Sequence, residues 1–365
     1  MIALATIKDV ARHANVSQTL VSRFINNQKG VSPESQRRIL AAIQALNYRP
    51  NGIARSLVLQ RTHTIGIVVD DLRATFLFRL IEGLERGAEE FDRDEKYNVI
   101  FCNANGDIAR KERHISFLTQ GRVDGIVIYG SLVHDDTMIR RLAGENFPFI
   151  LIENDIEGLD VNKIVIDNTG GAFQATEHLI QLGHRRIAHI GGNKDLKITQ
   201  DRYEGYRRAL QAHGIPEDDS LVIFPDFSDA EEWMKSSDNL GQDLFYDRGY
   251  AEMKKLIEAG RVPEAVFFAT DLSAYGAIKA LEEHGLDVPG DVSVVGFDDE
   301  VAAAGIFRCR PITTVRQPLR QAGYLGIRRL IAGILDPAAA KERVLLPTEL
   351  VVRDSTRAAA SGTTE

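Results

Sequence analysis

From residue 64 onward the chain alternates short apolar runs with stretches of helical spacing, and that order leaves little freedom in how it can fold. Apolar runs occupy 65–69, 99–102, 125–129 and 149–152, with helix-spaced residues such as Leu80, Ile81, Leu84 and Ala88 between them. Strands joined by helical crossovers lie parallel and bury both faces, so the order predicts parallel sheets covered by helices. The alternation restarts at 187–190, 265–269 and 292–296, which predicts two similar lobes. The longest apolar runs, 126–129 and 147–152, fall far short of the roughly 18 residues a membrane span needs. Lys8 and Asp9 break any secretory signal at the N-terminus. Two cysteines, Cys102 and Cys309, supply neither a disulfide framework nor a zinc cluster and suit a reducing compartment. The expectation is a cytoplasmic chain with no membrane partner, no metal and no cofactor.

The first 60 residues follow a different rule. They carry eight basic side chains against two acidic ones, a local charge of +6, whereas the remainder carries −14. A compact basic head on an acidic body is the electrostatic footprint of nucleic-acid binding by the head alone. Three helical signals fit into it. Thr6-Ile7-Lys8-Asp9 reads as a capping box with Asp in place of Glu, followed by Val10, Ala11 and Ala14 on one face. Ser17 caps a second helix carrying Leu20, Val21, Phe24 and Ile25, and Ser32-Pro33-Glu34 opens a third through Ile39, Leu40, Ile43 and Leu46. Two helices joined by a short turn make a helix-turn-helix. The second helix then turns Gln18, Thr19, Ser22, Arg23 and Asn26 outward, side-chain types that read base edges and hold phosphates.

Thr6-Ile7-Lys8-Asp9-Val10-Ala11, Val16-Ser17, Val21-Ser22-Arg23, Asn26, Val31-Ser32-Pro33-Glu34 and Asn47-Tyr48-Arg49-Pro50-Asn51 follow one another without gaps. With Ala54-Arg55-Ser56-Leu57 they resemble the head of the lactose-repressor/galactose-repressor (LacI/GalR) family. The resemblance implies base reading by Gln18 and Thr19, a further base contact from Arg23, and phosphate or capping roles for Thr6, Ser17, Ser22 and Asn26. Leu20 departs from the family's small hydroxyl residue there and removes one phosphate hydrogen bond. Residues 51–59 read alone as a plain linker too short to hold a helix in water. By resemblance they form a hinge helix that folds on DNA, with Leu57 as a minor-groove wedge, Ala54 beside it and Arg55 near the backbone.

The resemblance continues through Gly121-Arg122-Val123-Asp124-Gly125-Ile126, the block 178–187, and Val292-Ser293-Val294-Val295-Gly296-Phe297-Asp298-Asp299. It runs on into Thr313-Thr314-Val315-Arg316-Gln317-Pro318. It implies a small all-α helix-turn-helix DNA-binding head plus an α/β, two-lobed, periplasmic-binding-protein type I-like effector domain. The expected division is a helix-turn-helix domain at 1–50, a hinge helix and linker at 51–61, an effector-binding and dimerisation domain at 62–355, and a disordered tail at 356–365. The N-lobe would hold 62–163 and 314–341 and the C-lobe 164–312 and 343–355, with crossings near 163, 313 and 342.

A ligand in such a fold sits between the lobes at strand ends. Asp298 ends a strand beside Gly296; it is either a ligand-hydroxyl acceptor or a loop cap. Arg202 offers a fork for vicinal hydroxyls or a carboxylate, or else a surface salt bridge. Phe227 stacks on a sugar face or fills the core, and Asp71 lines the cleft or caps a strand end. Departures from the family fall at Arg73-Ala74-Thr75-Phe76, at Glu153-Asn154 and at Thr270, and each alters a hydrogen-bonding or positioning side chain. Arg73, Phe76 and Thr270 therefore join the candidate effector-binding residues, and Arg73 opens the alternatives of an anionic ligand or a solvent-facing side chain. Residues 228–247 read as an acidic insertion holding Trp233, Met234, Phe245 and Tyr246, either a lid over the cleft or an excursion packed on its own lobe.

Catalytic signals are missing from the sequence. Gly191-Gly192 lacks a following Gly-Lys-Ser/Thr, no Gly-x-Ser-x-Gly occurs, and His178, His184 and His189 cannot share one helical face. The expected function is a sequence-specific DNA-binding transcription regulator, a repressor controlled by a carbohydrate-like effector. As a homodimer it would read a palindromic operator in double-stranded DNA. The alternatives are a ligand receptor without a DNA role and an activator of the same architecture.

Overall fold

The structure is a computed structural model that describes residues 5–25, 29–48, 61–72, 77–91, 96–130, 136–227, 244–300 and 311–359. The chain divides into two units, Met1–His63 and Thr64–Glu365.

The head contains α1 (Ile7–Ala14), α2 (Gln18–Ile25) and α3 (Pro33–Ala45). The capping box forms as its residues dictate: the Asp9 amide donates to Thr6 Oγ1 at 3.4 Å and the Thr6 amide to Asp9 Oδ2 at 3.0 Å. Asn15 ends α1 in the left-handed region at φ 50°, a conformation Asn tolerates. Ser17 Oγ accepts from the Leu20 amide at 3.2 Å and so starts α2. Val10, Ala11, Ala14, Val21, Ile39 and Ala42 form the core. Leu40, expected on the inner face of α3, is 49% exposed, because the 100° step from the buried Ile39 carries it off that face. Arg38 reaches back to the end of α1 and donates from Nε and Nη2 to Ala14 O at 2.9 and 2.6 Å. That arginine serves the fold as a C-terminal clamp.

The body is two six-stranded sheets. The first has strand order β11-β5-β4-β3-β1-β2 and is parallel throughout. Its strands are β1 (Thr64–Val69), β2 (Asn98–Asn103), β3 (Gly125–Tyr129), β4 (Phe149–Ile152), β5 (Asn162–Ile166) and β11 (Arg343–Leu346). The second has order β12-β10-β9-β8-β6-β7, with β12 antiparallel to β10. It comprises β6 (Ile187–Ile190), β7 (Val222–Ile223), β8 (Ala265–Phe268), β9 (Ser293–Phe297), β10 (Thr313–Arg316) and β12 (Glu349–Val351). The helices are α4 (Leu77–Glu89), α5 (Ile108–Thr119), α6 (Asp136–Gly144), α7 (Asn168–Gln181), α8 (Lys197–Ala212), α9 (Leu244–Glu258), α10 (Asp271–Glu283) and α11 (Leu319–Leu335).

Side chains of β1 alternate between two cores. Ile65, Ile67 and Val69 meet Leu80, Leu84 and Leu330 on one face, and Val68 meets Ile115 and Leu118 on the other. Each such aliphatic side chain contributes about 1.5–3 kcal/mol on burial. A Cβ added at Gly83 would lie 2.1 Å from Arg320 O, and one at Gly323 would lie 2.3 Å from Leu80 O. The contact between α4 and α11 is thus a backbone approach that only glycine permits.

Several expected boundaries move. β5 and β11 pair with each other inside the first sheet and β10 pairs within the second, so the crossings follow Ile166, Arg316 and Leu346 rather than 163, 313 and 342. The shift arises because the chain leaves each sheet only after its strand is fully paired. Helix α9 begins at Leu244, inside the stretch read as an insertion, and Phe245 and Tyr246 pack against the second-lobe core. Trp233 and Met234 lie outside the described residues. The expected disordered tail is held at its start: Arg357 N donates to Ser293 Oγ at 3.2 Å and Ala359 N to Leu182 O at 2.7 Å. His178 meets Thr356 Oγ1 at 3.0 Å, and His184 meets Arg357 O at the same distance. No described helix is long and apolar enough to cross a membrane.

Candidate functional site

In the head, the apolar side of α2 turns inward through the fully buried Val21, which leaves Gln18, Thr19 and Arg23 exposed and Ser22 half-buried. Thr6 and Ser17 spend their hydroxyls locally. Thr6 Oγ1 donates to Asp9 Oδ2 at 2.6 Å, and Ser17 Oγ caps α2. Both are exposed at helix starts. Asn26, Ala54, Arg55 and Leu57 lie outside the described residues, as do Arg73 and Phe76 in the body.

In the body, the C-terminal ends of the strands carry a connected polar cluster. Arg202 on α8 is 3% exposed. It donates from Nε to Asn168 Oδ1 at 2.9 Å and from Nη1 to Ala269 O at 2.5 Å, and its Nη2 stands 3.6 Å from Asp298 Oδ1. Its guanidinium carbon lies 3.8 Å from the centre of the Phe297 ring, a stacked arrangement suited to Arg. Gln317 Nε2, at the second crossing, donates to Asp298 Oδ1 at 2.5 Å. Asn168 Nδ2, at the first crossing, donates to Glu153 Oε2 at 3.3 Å, and the Ile166 amide donates to Glu153 Oε1 at 3.2 Å. One chain of contacts therefore runs from Glu153 at the end of β4 to Asp298 at the end of β9, joining the lobes through both crossings.

Burial sets the electrostatics. It pushes Glu153 up to about 7, against the opposing pull of Arg202 and the Asn168 hydrogen bond. It raises Asp298 well above its usual range, again opposed by Arg202. One guanidinium thus opposes the burial of two carboxyls. Burial likewise raises the Tyr129 hydroxyl, with Glu153 and Asp298 adding to the shift. Asp298 and Asp299 have φ of 112° and 56°, two successive non-glycine residues in strained backbone of about 1–3 kcal/mol each. The turn sends neighbouring carboxylates in different directions. Asp298 faces Arg202, while Asp299 holds Arg316 Nε at 2.7 Å, Arg353 Nη2 at 2.5 Å and Arg79 Nη1 of α4 at 3.6 Å.

The other expected body residues divide. Asp71 is half-buried just past β1. Phe227 is half-buried with its ring 5.6 Å from that of Phe245. Thr270 caps α10: its hydroxyl accepts from Ser273 N at 3.2 Å, because the helix start needs an acceptor there. The sequence had marked Glu153 only as a departure from the family, and it did not single out Asn168 and Gln317, which the cluster joins to it, or Asp70, whose Oδ1 pairs with the fully buried Lys111 at 2.7 Å. A charged residue directly after the apolar run 149–152 was a second, local signal for Glu153.

Residues 6–51 match the model for bacterial regulatory proteins of the lacI family, and 176–356 match a periplasmic binding protein-like domain. The transcriptional regulator RegA of Clostridium saccharobutylicum is 36% identical over 96% of this chain and 99% of its own. The ribose operon repressor of Escherichia coli is 34% identical over 96% of this chain and 100% of its own. The chain belongs to the LacI family. The crystal structure of the lac repressor dimer bound to operator and the anti-inducer ONPF superposes with a TM-score of 0.81 at 27% identity, covering 97% of this chain and 99% of that one. The cellobiose complex of the regulator CelR matches with a TM-score of 0.67 at 31% identity, over 96% and 99% of the two chains. This LacI-family member is a DNA-binding transcription repressor under effector control.

Proposed function

We propose that the head binds a palindromic operator through α2 of two copies, and that a carbohydrate-like effector in the cleft of the body changes that affinity. Gln18, Thr19 and Arg23 read bases in the major groove, and Thr6, Ser17, Ser22 and Asn26 hold the backbone. Ala54, Arg55 and Leu57 act as a hinge with Leu57 as its wedge. The observation that carries the DNA half is the exposed polar face of α2 above a buried Val21 on a head of charge +6. For the effector half it is the buried Arg202–Asp298 pair joined to Glu153 across the lobes. The similarity to the ribose operon repressor and to the CelR–cellobiose complex supports a carbohydrate. Asp71, Arg73 and Phe76 act as further effector contacts in this reading.

A second copy suits the exposed edge strand β2, which leaves Ile100 42% exposed, and Phe78 of α4, which is 71% exposed. The protein acts in the cytoplasm, where its operator is, and by binding without turnover. Anisotropy of a labelled palindromic operator tests the proposal. Arg23→Ala is expected to weaken specific binding by about 1–3 kcal/mol and to relax base preference, while Leu57→Ala reduces bending. Wild-type operator binding by both variants would refute the assignment of the head.

A further inference from the structure

Asp298 and Asp299 share one turn at the end of β9, and each leads to the first lobe by its own route. Asp298 Oδ1 accepts from Gln317 Nε2 at 2.5 Å, and Gln317 lies in the second crossing just ahead of α11. Asp299 meets α4 instead. Its carbonyl oxygen accepts from Arg79 Nη2 at 2.9 Å, and its Oδ2 stands 3.6 Å from Arg79 Nη1. Both routes end on one unit, since α4 and α11 touch backbone to backbone. A Cβ added at Gly83 would lie 2.1 Å from Arg320 O, and one at Gly87 would lie 2.8 Å from Tyr324 O. The turn therefore holds the helix pair at two points.

The contacts of Asp299 differ in strength between the lobes. On the second-lobe side its carboxylate, 3% exposed, takes Arg316 Nε at 2.7 Å and Arg353 Nη2 at 2.5 Å. Burial raises its pKa, but the hydrogen bonds from Arg316 and Arg353 outweigh burial and hold the carboxyl below its ordinary value. On the first-lobe side the ion pair with Arg79 is the longest of the three, and the Arg79 side chain is 37% exposed. Arg79 also borders an open groove of about 740 Å³ that Gln317 and Arg316 help to line, which leaves it room to move. A shift between the lobes therefore loosens the Arg79 contact before the other two. The backbone at 298 and 299 is strained, with φ of 112° and 56°, so a pull on one side chain re-aims its neighbour.

We propose that Arg79 is a positioning residue for effector control: through Asp299 it ties α4 to the turn that carries Asp298, and the tie converts a change at Asp298 into a shift of the α4–α11 pair. The inference rests on the reading of Asp298 as an effector contact. Arg79 touches neither effector nor DNA in that reading and acts only through Asp299. Packed helices pass such a shift on because their cores have low compressibility. Phe78, the residue before Arg79, is 71% exposed on the surface assigned to a second copy, so a shift of α4 reaches the partner.

The test measures operator affinity of the full-length chain by anisotropy, first alone and then saturated with a sugar. The probes are D-ribose, D-glucose, D-galactose and cellobiose, and calorimetry decides which of them binds. Wild type should change its operator affinity at least about tenfold on saturation. Arg79→Met should bind the sugar, and the operator without sugar, each within about threefold of wild type, yet change operator affinity on saturation by only about threefold or less. Arg79→Lys, which keeps the charge, should retain most of the wild-type change. Should the methionine variant fail to fold, Arg79→Gln, which also removes the charge, is read in the same way. A charge-removing variant that keeps the full wild-type change overturns the inference and leaves the effector site standing. So does one that loses sugar binding itself, because Arg79 would then act on the site rather than on the coupling. If none of the four sugars binds wild type or alters its operator affinity, the carbohydrate-effector reading falls, and the role of Arg79 falls with it.

Discussion

Glu153 and Asp298 stand in different lobes, each directly after a parallel strand and each almost wholly buried. Their surroundings differ. On the second-lobe wall Asp298 meets a guanidinium 3.6 Å away and the Gln317 amide at 2.5 Å, and its strained backbone fixes its direction. On the first-lobe wall Glu153 meets two amides and no cation of its own. One wall arrives with its countercharge in place, while the other leaves a carboxyl to be completed by a proton or by a ligand.

The largest expected effect comes from removing the shared cation. Arg202→Met should destabilise the body by about 3–5 kcal/mol in urea unfolding, since it leaves buried carboxyls without a countercharge. The loss should be greater at pH 8 than at pH 5.5, because at the lower pH the carboxyls can hold protons. Equal losses at both values would break the picture of two carboxyls sharing one guanidinium.

Next in size is the pH dependence of Glu153. Its ordinary value of 4.5 rises to about 7 in the fold, so the native state binds more protons than the unfolded chain between those limits. Stability should therefore fall as pH rises through that window and level off above it, by about 3 kcal/mol in all. Glu153→Gln should flatten this part of the profile measured by urea unfolding. A profile just as steep in the variant would place the titration elsewhere.

Smaller still is Thr270→Ala, which sharpens the contrast between a cleft residue and a cap. Loss of the cap should cost about 1 kcal/mol in stability and leave the effector titration unchanged. A shifted titration midpoint would return Thr270 to the cleft. The smallest effect belongs to Arg79→Ala. Its bond to Asp299 is partly exposed, so it should change stability by less than about 1 kcal/mol. A large loss would mean that the tie between α4 and the Asp299 turn dominates the joining of the lobes.

The head was legible almost residue by residue, because its signals are local: Thr6 with Asp9, Ser17 with Leu20, Ser32 before Pro33. The strongly apolar strands were legible for the same reason. β5 was not picked out in the sequence because Lys163 interrupts its apolar run, yet that lysine is 6% exposed and donates to Asp155 Oδ1 at 3.1 Å and Ile156 O at 2.7 Å. The cleft was only half legible. Arg202 and Asp298 came from resemblance, but the contacts that complete them join residues 15, 34 and 19 positions apart. Such pairings are set by strand order and by where the chain crosses between lobes, and no local pattern encodes either.

The most direct test of effector control through this cleft is the affinity for operator, followed by anisotropy as a neutral sugar that binds the body is titrated in. Wild type should change its operator affinity at least about tenfold on saturation, or about 1.4 kcal/mol of coupling. Asp298→Asn should bind operator within about twofold of wild type and lose most of that response. An Asp298→Asn protein that responds at the wild-type sugar concentration, and to the wild-type extent, would contradict the account.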